Sequence, residues 1–257
     1  MYRGGRMADT IAVLSLKGGT GKTTTVRTLA DVLRQVGLTV LTIDLDPQGN
    51  LSDYFDVPRD AVPTVADVLS GDAKAKEAVH DGVIPSSLNL AEVERTLSGK
   101  MGREVVLKKA LKDLRRAYDV ILIDCPPALG LLTINGLVAS DYALISSEAQ
   151  YFALQGVNGA VELIEQVREY YNDDLQLVGV LLNIADMRTT HSRDAYTQLQ
   201  DVFGEKVFAS VIRSSIAYAE SAEKALSILE YRPDLGADYL ALADEVLSRI
   251  GRPQPLH

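Results

Sequence analysis

The stretch SLKGGTGKTT at residues 15–24 decides the fold of this chain. It follows a short apolar run at 11–16 and leads into a segment whose apolar residues recur with helical spacing, at Val26, Leu29, Ala30, Leu33 and Val36. A strand, a glycine-rich loop and a helix in this order bring consecutive backbone N–H groups and the positive end of the helix to one point. The stretch therefore predicts a phosphate-binding loop in an α/β protein.

The residue types in the loop match what a nucleoside triphosphate needs. Glycines allow the backbone to approach the phosphates closely. Lys22 is predicted to lie against the β- and γ-phosphates, the Thr23 hydroxyl to bind Mg²⁺, and Thr24 to lie near the α-phosphate. The predicted cofactors are ATP and Mg²⁺. The residues expected to bind the nucleotide here are Gly18, Gly19, Thr20, Gly21, Lys22, Thr23 and Thr24.

The rest of the chain repeats the alternation of strand and helix. Further strands are predicted at 39–45, 88–93, 119–125, 142–147, 177–184 and 207–212. Several runs are continuously apolar, as expected for strands covered on both faces. This pattern predicts a single-domain P-loop NTPase, with a mostly parallel, twisted sheet and helices on both faces. The predicted parts are a flexible extension at 1–7, an ATPase domain at 8–252 and a tail at 253–257.

Composition limits the classes of function. The 257 residues contain 26 Lys and Arg against 35 Asp and Glu, a net charge of −9, which argues against a constitutively basic nucleic-acid coat protein. A single cysteine, Cys125, excludes a disulfide framework within the chain, and we interpret it as a small buried apolar residue. No apolar run reaches the about 18 residues of a membrane span. A cytoplasmic protein with no membrane partner is expected.

Three acidic residues follow predicted strands. Asp44 and Asp46 come at the end of the run 39–45, where a spacing of two in a strand places both carboxylates on one face. The alternative for this segment, DPQGN, is a plain turn. Asp124 follows the apolar run VILI, which is a Walker B arrangement in which an acidic residue holds Mg²⁺.

The loop also departs from the general phosphate-loop pattern, because Leu16 stands at the position of the first glycine and Lys17 follows it. The pattern K-G-G-x-G-K-T-[TS] is matched in full by residues 17–24, and the chain resembles the deviant Walker A family, the ParA and MinD group of ATPases. The resemblance implies that Lys17 binds ATP and acts in catalysis by reaching the partner's ATP across a nucleotide-sandwich homodimer. The alternative is a solvated surface lysine.

The same resemblance assigns roles to the acidic residues. Asp46 matches the switch I aspartate that positions the attacking water, and Asp44 supports the metal environment. The segment DCPPALG at 124–130 is similar to switch II of the family. The resemblance thus gives Lys17, Lys22 and Asp46 catalytic roles, and Thr23, Asp44 and Asp124 metal-binding roles.

Two later segments flank the adenine in the family. One contains Asn183, for which a strand-end cap is the alternative. In the other, IRSSIAYAES at 212–221, Arg213 aligns with the family pattern, but Ile212 and Ser214 replace its proline and asparagine and Glu220 falls one place late. The resemblance implies nucleotide contacts from Asn183 and Arg213.

Positive charge is concentrated locally. Segment 100–116, predicted as helix-like, carries +5, which leaves −14 for the rest of the chain. A second cluster lies ahead of a predicted helix at 194–203. The alternative for these charges is an ordinary solvated surface. Nonspecific binding of double-stranded DNA by the ATP-bound dimer is what the ParA resemblance implies, and the residues predicted to contact DNA are Arg188, Arg193, Arg213 and Lys224.

The resemblance to the ParA/Soj group covers residues 8–250 and implies plasmid or chromosome partition with a ParB-like adaptor protein, on the nucleoid. Only residues 1–10 precede the first strand, so the short type without an N-terminal helix-turn-helix is expected. Three alternatives stay open: the same switch positioning a non-DNA cargo, a MinD-like membrane ATPase, and an ATP-dependent metabolic ligase.

Overall fold

The computed structural model describes residues 6–150 and 153–252. Its strands are β1 (Asp9–Leu14), β2 (Val40–Asp44), β3 (Val83–Ile84), β4 (Val120–Asp124), β5 (Tyr142–Glu148), β6 (Gln176–Ala185) and β7 (Val207–Arg213). They form a seven-stranded sheet in the order β3-β2-β4-β1-β5-β6-β7, and all its strand pairs are parallel. The central strands β1 and β4 are buried along their whole length, which is why their sequences are continuously apolar rather than alternating.

Helices cover both faces of the sheet. They are α1 (Lys22–Gln35), α2 (Asn50–Tyr54), α3 (Val65–Ser70), α4 (Leu90–Leu97), α5 (Val106–Ala110), α6 (Leu131–Val138), α7 (Ala153–Tyr170), α8 (Thr190–Phe203), α9 (Ala217–Glu223), α10 (Ile228–Tyr231) and α11 (Pro233–Arg249). One hydrophobic core lies under α1, α2 and α9 to α11, and the other lies under α3 to α8. The predicted fold class, an α/β P-loop architecture, is confirmed.

The strand predicted at 88–93 is wrong. The third strand is the two-residue β3, which pairs with β2, and the chain from Leu90 is helical. The apolar residues Leu90, Val93 and Leu97 are spaced for one helix face, and all three are buried against the core. A short apolar run suits a strand or a buried helix, and here the helix places these side chains inward.

The basic segment 100–116 is not one continuous helix. A 3₁₀ turn at Arg103–Val105 leads into the short helix α5, and a second 3₁₀ turn follows at Leu114–Arg116. The charged side chains of this segment therefore do not share a single helical face. By contrast, the helix predicted at 194–203 is present and begins earlier, at Thr190, after the Thr189 side chain accepts a hydrogen bond from the Ser192 backbone N–H.

The first and last described residues of the chain contact each other. Arg6 forms an ion pair with Asp9 at 3.2 Å and donates to the Ile250 carbonyl, so Arg6 is anchored rather than part of a free extension. Met7, also in the predicted extension, accepts a hydrogen bond from Arg252 through its carbonyl, whereas residues 1–5 and the predicted tail at 253–257 lie outside the described residues. Within 6–150 and 153–252, none of the helices combines the length and apolar character needed to cross a bilayer.

Candidate active site

The loop between β1 and α1 has the backbone that its glycines predict. Gly19 and Gly21 adopt φ of 76° and 78°, a left-handed conformation that favours glycine. Helix α1 begins at Lys22, and no side chain caps its N-terminus. The free N–H groups and the positive end of the helix dipole thus face the loop, which is the arrangement that binds phosphate.

Gly21 is also required for space. A Cβ at this position would lie 2.5 Å from Nδ2 of Asn183, whose buried side chain lies under the loop. The Asn183 amide donates to Thr25 Oγ1 at 3.1 Å and to Ser146 Oγ at 3.3 Å. The Ser146 hydroxyl in turn donates to the Thr20 carbonyl at 2.7 Å. Asn183 therefore supports the floor of the phosphate loop from the end of β6, and its adenine contact stays a prediction.

The two lysines of the loop are placed differently. Lys22 is buried, with 6% of its surface exposed, and its ammonium lies 3.5 Å from the Lys17 carbonyl across the loop. The Lys17 side chain is 60% exposed, and its ammonium lies 3.3 Å from Oε2 of Glu148. Lys22 thus lies over the loop of its own protomer, whereas Lys17 lies at the surface.

A cleft of about 620 Å³ opens above the loop. One end is formed by residues 18–24 with Asp46, and the other end by side chains from α9 and the strand ends next to it, including Ile184, Arg213 and Tyr218. This volume falls within the range of small-molecule sites, about 300–1,000 Å³. Its position, at the carboxyl edge of a parallel sheet, is where open α/β sheets bind ligands.

Two carboxylates meet beside the loop. Asp44 and Asp124 end the neighbouring strands β2 and β4 and are directly paired in the strand register. The Thr23 hydroxyl donates to Oδ2 of Asp124 at 2.6 Å. Oδ1 of Asp124 is buried and has no hydrogen-bond partner among the described residues. A buried, unpartnered carboxylate oxygen beside a threonine hydroxyl fits a hard cation such as Mg²⁺.

Burial shifts the proton affinity of both carboxyl groups. The pKa of Asp124 is raised to about 8, mainly by burial and also by the nearby Asp44, while the Thr23 hydrogen bond and Lys22 act in the opposite direction. Burial also raises the pKa of Asp44 to about 6, opposed by hydrogen bonds from Ser52. At neutral pH the pair therefore binds about one proton, on Asp124, when no cation compensates its charge.

Replacement of Asp124 by asparagine is expected to stabilise the nucleotide-free protein at high pH. Since the folded-state pKa of Asp124 lies above its ordinary value of 3.8, stability is greatest below that value and is lost as the pH rises toward about 8. Asparagine has no charge to bury, so the variant's advantage in unfolding free energy should grow by roughly 2–5 kcal/mol from about pH 5 to about pH 9. Urea denaturation in EDTA measures it.

The matched control is Asp173→Asn, which removes one carboxylate from an exposed position. Its stability relative to the parent should not change with pH in the same window. A constant difference between Asp124→Asn and the parent across the window would contradict the buried-charge interpretation.

The predicted geometry of Asp44 and Asp46 needs correction. Strand β2 ends at Asp44, so the two residues do not share a strand face. They are joined instead by a turn, in which Oδ1 of Asp44 accepts the Asp46 N–H at 3.1 Å. Oδ2 of Asp44 accepts the Ser52 N–H at 2.9 Å and the Ser52 hydroxyl at 2.7 Å. Asp44 thus organises the segment that presents Asp46 to the cleft, and its metal-binding role stays a prediction.

Arg213 lies at the rim of the cleft, at the end of β7. Its Nε donates to Oδ2 of Asp238 at 2.8 Å, and Nη2 donates to the Asp234 carbonyl. The guanidinium is therefore largely engaged by α11. Its predicted contacts with nucleotide and with DNA stay predictions, and either contact would compete with this ion pair.

The other predicted DNA contacts lie in two places. Arg188 and Arg193 follow β6, whose last residue, Ala185, pairs in register with Arg213, so these three arginines share one edge of the sheet. The Arg188 side chain is 91% exposed and pairs with Asp186. Lys224 stands apart at the end of α9, over the ring of Tyr231 at 4.6 Å.

Sequence reasoning missed three tyrosines that line the cleft. Tyr54, Tyr218 and Tyr239 come from α2, α9 and α11, and the Tyr54 hydroxyl is hydrogen-bonded to the Ser221 hydroxyl at 2.7 Å. Arg27 of α1 packs against the Tyr54 ring. These residues carry no local motif, so a sequence signal was absent.

The prediction that Cys125 is a small buried residue is confirmed. It is fully buried next to Gly136, where a Cβ would lie 2.9 Å from the sulfur. Burial raises the pKa of its thiol, and the neighbouring Asp124 adds to that effect. Such a thiol is chemically inert.

Comparison with known proteins places the chain in a family. A family model described as an AAA domain matches residues 8–177. The chain is 39% identical over 249 residues to the sporulation initiation inhibitor protein Soj of Bacillus subtilis, with 93% of this chain and 98% of that protein covered. It is 37% identical over 246 residues to the chromosome-partitioning ATPase Soj of Thermus thermophilus, with 93% and 96% covered.

A solved structure agrees. The chain is similar to cobyrinic acid a,c-diamide synthase of Mycobacterium smegmatis with bound ATP analogue and magnesium, with a TM-score of 0.85, 35% identity and coverage of 96% of this chain and 98% of that one. The chain belongs to the Soj/ParA family of chromosome-partitioning ATPases.

Proposed function

We propose that this ATPase is a switch that dimerises around ATP, binds DNA without reading its sequence in that state, and is released when a ParB-like partner stimulates hydrolysis. The observation that carries this proposal is the opposite placement of the two loop lysines. Lys22 is buried over its own loop, whereas Lys17 is exposed at the protein surface. A surface ammonium next to a phosphate site can serve a nucleotide held by a second protomer.

The roles within one protomer follow from the site. Lys22 and the loop N–H groups would bind the triphosphate, while Thr23 and Asp124 would hold the magnesium ion. Magnesium supplies charge neutralisation at the phosphates when it is bound. Asp46, whose Oδ1 accepts the Gln48 N–H at 3.0 Å, faces the cleft and would orient the attacking water. The similarity to a structure with bound ATP analogue and magnesium supports this assignment.

DNA binding in the ATP state would explain how an acidic chain uses a nucleic acid. At a net charge of −9, a lone protomer is repelled by DNA at physiological salt, and few phosphate contacts offset that repulsion. Dimerisation doubles the number of contacts that one particle can make. Arg188, Arg193 and Arg213 share one edge of the sheet and are the proposed contacts, with the nucleoid as the track for a plasmid or chromosomal cargo.

The test is a gel shift with nonspecific duplex DNA in ATP, in ADP and without nucleotide. Binding is expected in ATP alone. Arg188→Ala should then weaken binding by about threefold to tenfold and reduce the slope of log affinity against log salt by about 2, because each dimer loses two phosphate contacts.

Arg95→Ala is the matched control, since Arg95 is also an exposed arginine in a local ion pair, with Glu92 on α4. It should bind DNA as the parent does. Binding that ignores the nucleotide, or no binding in any state, would contradict the partition function.

The similarity to cobyrinic acid a,c-diamide synthase raises amide synthesis as a second function. Releasing ammonia from glutamine for such a reaction needs a nucleophilic thiol. Cys125 is the single cysteine in the chain, and it is fully buried with a raised pKa. The site therefore favours the switch over glutamine-dependent amidation.

A further inference from the structure

The Lys17 ammonium has a defined place in the single protomer. It lies 3.3 Å from Oε2 of Glu148 and also donates a hydrogen bond to Oε1 of Gln150. Glu148 is the last residue of β5, the strand next to β1, and Gln150 follows it by two positions. Both groups are acceptors, so they match an ammonium.

This place lies outside the nucleotide cleft. Residues 18–24 line the cleft, whereas Lys17 lines a smaller neighbouring cavity of about 120 Å³ together with Ser15, Ile145, Glu148 and Gln150. The ammonium is thus held against the side of its own protomer. The backbone at the end of β5 is fixed, because the Ala149 N–H donates to the Asn183 carbonyl at 3.3 Å. The backbone that carries Glu148 is therefore held in place by the neighbouring strand.

We propose that Glu148 and Gln150 form a resting seat for Lys17, which the ammonium must leave to reach the triphosphate of a second protomer. Glu148 is a positioning residue that acts through Lys17 and opposes dimerisation. This inference rests on the proposed function, in which Lys17 acts across the dimer.

The size of the effect follows from the exposure of the pair. The side chains are 60% and 23% exposed, so solvent screens the attraction and the seat is weak. Leaving it should cost about twofold to fivefold in the closing equilibrium per protomer. A dimer breaks two seats, so its dissociation constant carries the square of that factor, about 4-fold to 25-fold.

Glu148→Gln tests the seat, because it removes the charge and keeps the shape. The measurement is the dimer dissociation constant by analytical ultracentrifugation in Mg²⁺ and a non-hydrolysable ATP analogue. The variant should dimerise about 4-fold to 25-fold more tightly than the parent. Its affinity for the analogue, measured at concentrations where the protein is monomeric, should not change. A gain in dimerisation without a change in nucleotide binding separates release of Lys17 from general loosening of the site.

The control is Glu165→Gln, which changes the net charge equally but removes a partner of Arg168 on the exposed side of α7. It should dimerise as the parent does, which excludes reduced repulsion between two acidic chains as the cause. Unchanged or weaker dimerisation of Glu148→Gln would overturn the seat. A parent protein that binds the analogue and stays monomeric would instead overturn the proposed dimer switch itself, whatever Glu148 does.

Discussion

Lys22→Ala is expected to abolish useful ATP binding, with a loss of affinity of about 100-fold or more. Lys22 is buried at the start of α1, and its ammonium lies 3.5 Å from the Lys17 carbonyl, over the loop that holds the phosphates. Alanine removes the charge that is proposed to face the β- and γ-phosphates, and it would leave the triphosphate next to the carboxylates of Asp44 and Asp124. Charge-assisted hydrogen bonds contribute about 1.5–3 kcal/mol each, and two of them are lost.

Isothermal titration with ATP and Mg²⁺ measures the effect of Lys22→Ala. Lys112→Ala is the control, since Lys112 is exposed and precedes β4, at the sheet edge opposite the cleft. It should bind ATP as the parent does. If Lys22→Ala retained ATP affinity within about threefold of the parent, the loop would not bind the triphosphate in the way proposed.

Lys17→Ala is expected to keep nucleotide binding and to weaken ATP-dependent dimerisation. Lys17 is exposed and lines the cavity next to the cleft, so its removal leaves the cleft of the single protomer intact. In the proposed dimer, two lysine contacts with the partner's ATP would disappear together. At about 1.5–3 kcal/mol per charge-assisted contact, this loss raises the dimer dissociation constant by at least about 100-fold, and the loss of both seats at Glu148 offsets about 4-fold to 25-fold of that rise. A net rise of at least about fivefold is therefore expected.

Sedimentation in the presence of ATP and Mg²⁺, combined with titration of a fluorescent ATP analogue, separates the two properties of Lys17→Ala. The opposite defect is expected of Lys22→Ala, which should fail at the binding step. A Lys17→Ala protein that dimerises normally with ATP would contradict the action of Lys17 across the dimer, and with it the seat at Glu148.

The two lysines show which parts of the site could be predicted from the sequence. The spacing of residues 17–24 after an apolar run predicted the loop, because its backbone geometry and charge depend on residues within the loop itself. Asp124 was likewise predicted from the apolar run before it. The Glu148 acceptor was not predicted, because it comes from β5, more than 120 positions along the chain from Lys17, and meets it through strand pairing.

The fold could be predicted where an element leaves a local sequence pattern. The prediction was wrong where that pattern is short or ambiguous. Strands β1 and β4 are covered on both faces, so their burial appears directly as continuous apolar runs. The run at 88–93 is short and fits either type of element, and only packing of Leu90, Val93 and Leu97 against the core makes it a helix. The two-residue strand β3 is too short to leave a pattern.

By itself, the sequence determined the phosphate loop, the alternation that makes a parallel sheet, and the acidic residues at strand ends. These features depend on neighbours within a few positions. Tertiary structure alone decided that Asp44 binds Ser52, that Asn183 supports Gly21 from below, and that Lys17 rests against Glu148. Each of these contacts joins residues from different parts of the fold, and the partner of a residue across a sheet or loop is set by packing rather than by spacing along the chain.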